Sequence, residues 1–393
     1  MRVVIAVDSF KGSLSSLAAG QAVRDGLLRA IPGAVAEVCP LADGGEGTAA
    51  ALTAGLGGVP VDVQVTGPLG EPVVCRYGVA GDLAVLEMAG AAGLPLVPAE
   101  KRDPLRTTTY GVGEVVRDAI VRGCRRFVIG IGGSATNDGG AGMLQALGFS
   151  LLDETGAPIP RGAAGLQKLR RIDAANALPA LRECTFRVAC DVENPLCGPL
   201  GCSAVFGPQK GATAESVRQM DGWLCDFAAL TRTVFPDCDP DFAGSGAAGG
   251  MGFALRTFLG ASLEPGVEIV MEETGLAEKL RAADFVVTGE GRLDAQTAMG
   301  KAPAGVARLA KQYGKPVIAF AGSVAEGASA CHAAGIDAFF PAVRGVTSLE
   351  AAMDPQNAAQ NLAASAEQVF RLAATCRGEV AGCACGHALS EAK

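Results

Sequence analysis

Histidine is nearly absent from this sequence: His332 and His387 are the only two in 393 residues. Neither lies in a glycine-rich segment, and the surroundings of His332, Ala330-Cys-His-Ala-Ala334, are typical of a helix surface. A serine–histidine triad or a histidine-rich metal site is therefore disfavoured. If the chain catalyses proton transfer, we expect the general base to be a carboxylate.

Aromatic residues are also scarce, at 5% of the chain against 49% hydrophobic residues in total, so the core must be built mainly from Ala, Val, Leu and Ile. No apolar run approaches the length of a membrane span, and no export signal precedes the first apolar segment. The formal net charge of −8 and the lack of a Lys/Arg run argue against nucleic-acid binding. We expect a soluble, cytoplasmic protein with neither a nucleic-acid nor a membrane partner.

Thirteen cysteines, an odd number, are scattered without a repeating spacing. In a long chain without an export signal they indicate reduced thiols that mostly fill the core. Cys383, Cys385 and His387 could bind a metal together, but a frayed terminus is the favoured interpretation of that tail.

The common nucleotide-binding signatures are missing too. No G-x-x-x-x-G-K-[ST] occurs, and there is no D-F-G or H-R-D set. The dinucleotide pattern matches twice, at Gly130-x-Gly132-x-x-Ala135 and at Gly244-x-Gly246-x-x-Gly249, which is weak in a chain with 54 glycines. An NAD-linked oxidoreductase therefore stays an alternative.

Glycine, by contrast, is concentrated where a strand should end. The segment Gly130-Ile-Gly-Gly-Ser-Ala-Thr-Asn-Asp-Gly-Gly-Ala-Gly142 follows the apolar run Phe127–Ile129 and precedes the helical pattern that starts at Met143. Glycine lets the backbone approach a ligand closely, and a helix N-terminus offers unpaired N–H groups. This order of strand, loop and helix favours phosphate binding over a simple turn. The segment contains no lysine or arginine, so its cations must come from other loops.

The apolar patterns predict an α/β fold. Strands are expected at residues 2–7, 36–39, 186–190, 284–288, 316–322 and 338–343, with helices between most of them and short antiparallel strands over residues 61–90. Alternating strands and helices indicate a parallel sheet covered on both faces. We predict a flavodoxin- or Rossmann-like parallel-sheet domain built from both chain ends (residues 1–65 and 286–393), with a second, mixed α/β domain (residues 66–285) inserted in it.

Charged residues follow at least five of these strands, where α/β sheets bind ligands. They are Asp8, Lys11, Asp43, Glu46, Asp138, Asp191, Glu193, Lys210, Glu290, Arg292, Asp294 and Lys301. Each alone is more often a helix cap or a solvated charge. Together with glycine loops, such acidic and basic residues are what phosphoryl transfer requires, because cations neutralise phosphates and carboxylates hold Mg²⁺ or accept a proton.

Taken together, seven ordered motifs resemble the bacterial-type glycerate kinases, the class without a Walker loop. The motifs are Asp8–Ser13 (DSFKGS), Ala42–Thr48 (ADGGEGT), Gly130–Gly140, Asp191–Leu196 (DVENPL), Val205–Ala212 (VFGPQKGA), Gly246–Gly252 (GAAGGMG) and Thr288–Asp294 (TGEGRLD) with Gln296-Thr297 and Gly300-Lys301. The resemblance implies ATP- and Mg²⁺-dependent phosphorylation of D-glycerate, usually at the 2-hydroxyl. It also implies two α/β domains with the active site in the cleft between them.

Roles for single residues are hypotheses on top of this resemblance. Gly132, Gly133, Ser134, Asn137 and Lys301 are the candidates for ATP binding. Arg292 is suited to a bidentate grip on the glycerate carboxylate, with Lys11 and Ser9 as further substrate-binding candidates. Asp191 is the first choice for the catalytic base or a metal-linked carboxylate, and Asp294 and Lys11 are the other catalytic candidates. Asp43 and Glu46 either hold magnesium or cap the following helix.

Three points stay open at this stage. A non-catalytic protein that binds a small anion would use the same loops without turnover. The residues themselves do not distinguish 2- from 3-phosphorylation. The oligomeric state is also open, and a homodimer is one of the states we allow for.

Overall fold

The computed structural model describes residues 1–377. Its strands are β1 (Arg2–Ile5), β2 (Val35–Val38), β3 (Val59–Thr66), β4 (Pro72–Ala80), β5 (Leu83–Glu87), β6 (Arg126–Gly130), β7 (Ser150–Leu152), β8 (Arg171–Asp173), β9 (Thr185–Ala189), β10 (Ser262–Glu264), β11 (Phe285–Leu293), β12 (Val317–Val324) and β13 (Ala338–Pro341). Its α-helices are α1 (Ser16–Ala30), α2 (Thr48–Gly55), α3 (Ala89–Ala92), α4 (Tyr110–Val121), α5 (Ala141–Ala146), α6 (Ala163–Leu166), α7 (Cys202–Phe206), α8 (Ala214–Arg232), α9 (Ala247–Leu259), α10 (Gly266–Glu273), α11 (Leu276–Arg281), α12 (Ala302–Gln312), α13 (Ala330–Ala333), α14 (Leu349–Met353) and α15 (Pro355–Cys376).

Two compact units divide the described chain. The first contains Met1–Pro40 and the part from Ala277 onward, and the second contains Leu41–Leu276. The predicted boundaries, after residues 65 and 285, fall later in the chain. The difference at the first boundary follows from α2, which packs against β4 and β5 and so belongs with the second unit.

The first unit is built on a five-stranded sheet in the order β13-β12-β11-β1-β2, and all of its neighbouring strands are parallel. The central pair joins the two ends of the chain, because Val3 in β1 lies opposite Phe285 in β11. The predicted parallel-sheet fold from both chain ends is confirmed.

The second unit contains a six-stranded mixed sheet in the order β10-β9-β6-β5-β4-β3. In it β4 runs antiparallel to both β3 and β5, as the short runs over residues 61–90 predict, whereas β5, β6, β9 and β10 run parallel to one another. A small antiparallel pair, β7 and β8, lies beside it. The carboxyl ends of β5, β6 and β9 therefore meet at one edge of the sheet.

One strand is longer than predicted. The apolar pattern ends at Thr288, but β11 continues to Leu293 and pairs with β12 as far as Leu293–Val324. Glu290 and Arg292 therefore lie on a strand and not in a loop as predicted. Polar residues at the end of a strand carry no apolar alternation, so the pattern stopped too early.

The aromatic residues, although scarce, are not evenly spread. In the second unit Phe127 stacks on Phe186 with ring centroids 4.8 Å apart. A second group joins Phe227 to Phe253 and Phe258. The core of this unit thus combines the predicted aliphatic residues with phenylalanine clusters, which fill more volume per residue.

Helix α1 of the first unit packs against α15 at a glycine. A Cβ atom on Gly26 would lie 2.1 Å from the carbonyl oxygen of Ala363 and 2.8 Å from Cβ of Ala366. The two helices therefore approach each other as closely as a residue without a side chain permits.

Among the helices of residues 1–377, none has both the length and the apolar character needed to span a membrane. The predicted frayed tail with Cys383, Cys385 and His387 lies outside the described residues.

Gly26→Ala should lower the thermal unfolding midpoint, since overpacking at such a contact costs about 1–3 kcal/mol. The matched control is Gly222→Ala in α8, where a Cβ would meet nothing within 4 Å. There the higher helix propensity of alanine should raise stability by about 0.5–1 kcal/mol. Equal effects of the two substitutions on the midpoint would contradict the packing argument.

Candidate active site

The glycine-rich segment after β6, residues 131–140, is called the glycine loop below. Only Gly132 and Gly133 are exposed within it, and residues 134–140 are buried. Backbone hydrogen bonds hold its first part against the end of α3: Leu94 N donates to Gly133 O at 2.9 Å and Ala135 N to Ala92 O at 2.9 Å. Gly133 has φ of +69°, a conformation that favours glycine. The accessible surface of the loop is therefore bare backbone.

Asp138 fixes the second part of the glycine loop from inside. Its carboxylate is fully buried and accepts hydrogen bonds from Thr109 N and Thr109 Oγ1, both at 2.9 Å, and from Gly140 N and Gly142 N at 3.1 and 3.2 Å. Burial raises the pKa of Asp138, and these donors oppose the shift. The first turn of α5 is thus capped by the protein's own carboxylate, which leaves Gly132 and Gly133 as the part of the loop open to a ligand.

Lys210 supplies a cation to the same loop. It ends the 3₁₀ turn Pro208–Lys210, is 2% exposed, and its Nζ donates to Ser134 Oγ at 2.8 Å and to Thr136 O at 2.6 Å. Burial lowers the pKa of Lys210 to about 8. A lysine beneath a loop that itself has no basic residue meets the requirement for a cation from elsewhere in the chain.

Two further contacts complete the packing of the loop. Asn137 Nδ2 donates to Ser203 Oγ in α7 at 2.8 Å, so its side chain is buried against protein. On the other side, a Cβ on Gly249 would lie 2.1 Å from Thr136 O, and Gly139 N donates to Gly249 O at 2.9 Å. The second dinucleotide-like glycine pattern therefore contains a glycine that packs on the loop.

The segment 43–45 brings carboxylates to this strand edge. A Cβ on Gly44 would lie 2.6 Å from Cβ of Ala189 at the end of β9, and a Cβ on Gly132 would lie 3.5 Å from Cα of Gly45. Asp191, which follows β9, accepts from Gly266 N at the start of α10 at 3.2 Å. Partial burial of its carboxyl, together with the nearby charge of Asp43, raises the pKa of Asp191.

The N-terminus of α2 is the helix end that Asp43 and Glu46 were alternatively expected to cap. The N–H of Ala49, in the first turn of α2, donates to Glu87 Oε1 at 2.8 Å. Burial raises the pKa of Glu87. The last residue of β5 therefore caps α2, while Asp43 Oδ1 accepts from Gly45 N at 3.0 Å and Glu46 is exposed.

In the first unit, the loop after β1 lies beside β11. Asp8 N donates to Gly289 O at 2.9 Å, and the backbone N of Lys11 lies 3.4 Å from where a Cβ on Gly291 would be. Lys11 is exposed and Ser9 is half-buried. Because residues alternate along a strand, Glu290 and Arg292 point away from the side on which Lys11 packs. Arg292 is exposed.

The end of β11 and the loop after it form a polar cluster. Thr297 Oγ1 donates to Glu290 Oε1 at 2.6 Å, and Lys301 Nζ lies 3.6 Å from Glu290 Oε2 and 3.9 Å from Asp294 Oδ1. Burial raises the pKa of Glu290, and Thr297 and Lys301 oppose the shift. Asp294 Oδ1 also accepts from Gln296 N at 2.9 Å, which is the arrangement of a turn cap.

The predicted residues thus fall into two groups. Those of the second unit that gather at the ends of β6 and β9 are Gly132, Gly133, Ser134, Asn137, Asp43 and Asp191. Those of the first unit that gather at the ends of β1 and β11 are Ser9, Lys11, Arg292, Asp294 and Lys301. Three contributors received no role from the sequence: Lys210, Thr109 and Glu87. Lys210 lies in the motif Val205–Ala212, so the sequence did contain a signal that it is functional. Thr109 and Glu87 lie in none of the seven motifs.

Within residues 1–377, no group of three or more His, Cys, Asp or Glu side chains is arranged to hold a metal. Asp43 and Asp191 nevertheless lie close enough for the charge of Asp43 to raise the pKa of Asp191, and Gly45 of the same segment lies near Gly132. Mg²⁺ is usually held by one or two carboxylates together with phosphate and water oxygens, so this pair fits such an ion.

Thr109→Val should destabilise the protein by about 1–3 kcal/mol, because it removes a buried donor to the Asp138 carboxylate. Burial raises the pKa of Asp138, so this group favours folding less as pH rises, and losing a donor should enlarge the deficit at higher pH. Urea unfolding at two pH values measures both effects. Thr155→Val is the matched control, since Thr155 Oγ1 donates to Asp153 in an exposed turn at 2.7 Å. A loss no larger than in this control would contradict the anchoring role of Asp138.

The chain is similar to known proteins in sequence and in structure. The model of the glycerate kinase family matches residues 3–374. A glycerate kinase of Halalkalibacterium halodurans is 49% identical over 368 residues, 92% of this chain and 97% of the relative. A glycerate 2-kinase of Escherichia coli is 48% identical over 354 residues, 90% and 93% of the two chains. A solved structure described as "putative glycerate kinase 2 from Salmonella typhimurium" has a TM-score of 0.89 and 46% identity, and covers 96% of this chain and 99% of that one.

The match extends over nearly the whole chain and agrees with the resemblance carried by the seven motifs. The chain belongs to the glycerate kinase family.

Proposed function

We propose that this protein catalyses the ATP-dependent, Mg²⁺-assisted phosphorylation of D-glycerate at its 2-hydroxyl. The observation that carries the proposal is the glycine loop, whose exposed residues Gly132 and Gly133 directly precede the residues bonded by the buried cation of Lys210. Gly132 also lies near Gly45, in the segment that carries the carboxylate of Asp43. Family membership supplies the substrate class, and the name of the Escherichia coli relative supports the 2-hydroxyl as acceptor.

The phosphates of ATP are assigned to Gly132 and Gly133. Their N–H groups are on the accessible part of the loop, where a side chain would keep a ligand away from the backbone. Ser134 and Asn137, which were also predicted to bind phosphates, are assigned to positioning this backbone because their side chains contact Lys210 and Ser203. Lys301, the other predicted ATP ligand, lies in the first unit beside Glu290 and is a weaker candidate.

The carboxylate of glycerate is assigned to Arg292. A guanidinium can bind both oxygens of a carboxylate at once, and Arg292 is exposed on a strand that holds it firmly. Lys11 and Ser9 are the alternative ligands in the neighbouring loop.

Asp191 is the proposed base that accepts the proton of the acceptor hydroxyl. Its pKa is raised by partial burial and by Asp43, which brings the carboxylate closer to the proton affinity that a base needs near neutral pH. Asp294, the second candidate, already accepts the backbone N–H groups of a turn. Asp43 would hold Mg²⁺, which neutralises phosphate charge when bound.

The two alternatives are less well supported. The relatives give no support to an NAD-linked oxidoreductase, and Gly249 of the second dinucleotide-like pattern is occupied by packing on Thr136. A non-catalytic anion-binding protein would share the loop but would not need a carboxylate with a raised pKa beside it.

A coupled assay of ADP release tests the proposal. Release that requires ATP, Mg²⁺ and D-glycerate together supports it, and release without glycerate, or none at all, refutes it. Analysis of the product by ³¹P and ¹³C NMR separates 2-phosphoglycerate from 3-phosphoglycerate. A 3-phospho product would retain the kinase assignment and overturn the assigned acceptor position.

Arg292→Lys should raise the KM for D-glycerate by about tenfold or more while the KM for ATP changes little, because the bidentate contact is lost. Arg308→Lys, an exposed arginine on α12, is the matched control and should behave like the unmodified protein. An unchanged KM for glycerate in the Arg292 variant would remove this assignment.

Asp191→Asn should lower kcat by at least about 100-fold, the lower end of what positioned proton transfer contributes. Asp226→Asn, on the exposed face of α8, controls for the general effect of losing a carboxylate. If the Asp191 variant loses less than about tenfold, Asp191 is not the base.

A further inference from the structure

Lys210 is an unusual residue for the interior of a protein. Its side chain is only 2% exposed and is one of the largest buried side chains of the described residues. The two oxygens that accept hydrogen bonds from its Nζ, Ser134 Oγ and Thr136 O, are nevertheless uncharged. Burying an ammonium group is costly unless hydrogen bonds and an opposite charge compensate for the lost water. Both of its acceptors belong to the glycine loop, directly after the exposed pair Gly132-Gly133.

The hydrogen-bond partners of Lys210 indicate its role. The hydrogen bond to Ser134 is 2.8 Å long and the one to Thr136 is 2.6 Å long, so one ammonium group holds the loop at two points with a residue between them. The neighbouring helix α7 adds Ser203, which accepts from Asn137 Nδ2 at 2.8 Å. The segment from α7 to Lys210 therefore forms hydrogen bonds with Ser134, Thr136 and Asn137 of the loop.

We propose that Lys210 is the positioning residue of the glycine loop, and that its positive charge gives the loop its affinity for the phosphate chain of a nucleotide. This inference deepens the proposed function and rests on it for the identity of the nucleotide. Lys210 itself does not touch the phosphates, because it is enclosed by the loop. It acts through the backbone of residues 132–136 and through its field.

The charge of Lys210 changes within an accessible pH range. Burial lowers its pKa to about 8, and the carboxyl group of Asp138 in the glycine loop opposes that shift. The other titratable group that faces it is the thiol of Cys202 in α7. Burial also raises the pKa of Cys202 to about 11, well above this range. Below about pH 8 the loop therefore lies over a cation, and above it over a neutral amine.

The experiment measures ATP affinity by calorimetry in the absence of glycerate, from pH 7.5 to 9.5, where the triphosphate of ATP stays fully ionised. In the unmodified protein the Kd for ATP should rise by about tenfold or more over this range, as expected for losing one charge-assisted interaction. AMP, which lacks the outer phosphates, is the matched ligand, and its Kd should change by less than about twofold.

Two variants separate Lys210 from other titrating groups. Lys210→Arg keeps the charge far above pH 9.5, so the Kd for ATP should lose its pH dependence. Lys210→Met should bind ATP about tenfold more weakly at pH 7.5, with no further change at pH 9.5 and with an unaltered KM for glycerate. Lys168→Met, which removes an exposed lysine of the same unit, should behave as the unmodified protein does.

The outcomes are decisive even if one variant fails to fold. A Kd for ATP that does not change with pH in the unmodified protein overturns the inference, and so does a pH dependence that persists in Lys210→Arg. If ATP affinity follows the predicted pattern but no ADP is released with glycerate, the proposed function fails and the role of Lys210 stands. If glycerate-dependent turnover occurs without the pattern, the reverse holds.

Discussion

The glycine loop of the second unit depends on two opposite charges that are buried against its backbone, Asp138 from the loop itself and Lys210 from a separate turn. Asp138 and Lys210 are both buried. Burying either charge would cost several kcal/mol, about what desolvation of an ion costs, if hydrogen bonds from neighbouring groups did not compensate for the lost water. Four donors converge on the carboxylate and two oxygens on the ammonium. The carboxylate fixes the end of the glycine loop that enters α5, and the ammonium fixes the part next to Gly133. Together they anchor the backbone of residues 134–138, and an anchored backbone is what the proposed binding of phosphate at Gly132 and Gly133 requires.

The other candidate functional residues are positioned by the order of the strands. In each unit they follow the carboxyl ends of neighbouring parallel strands, where several loops are brought together without any extra structure. The first unit uses β1 and β11, and the second uses β6 and β9. Small residues at Gly44, Gly132 and Gly291 allow these loops to approach neighbouring backbone within a few ångströms. The high glycine content of the chain is thus concentrated partly where loops have to touch.

The limits of sequence reasoning follow from the range of the interactions. Alternation is a local pattern, so β1, β9 and β13 could be predicted within a few residues. The carboxylate of Asp138 could be noticed as a loop charge, but its burial depends on Thr109, which lies in another segment. The polarity of Glu290 and Arg292 predicts a loop. They lie in a strand because they pair with β12, which their own sequence does not reveal. The cation of the loop was expected from elsewhere, and only packing could single out Lys210 among the charged residues after strands.

The contact between Gly249 and Thr136 has a consequence for how the protein is made. The ribosome delivers β6 and the glycine loop long before it delivers α7, Lys210 and finally α9. Until Gly249 is synthesised, Thr136 and Gly139 lack one of their packing partners, and until Lys210 is synthesised the loop lacks its cation. A nascent chain that has not reached α9 can form β6 and still lack a fully shaped loop, so the proposed binding of a nucleotide should become possible only late in synthesis.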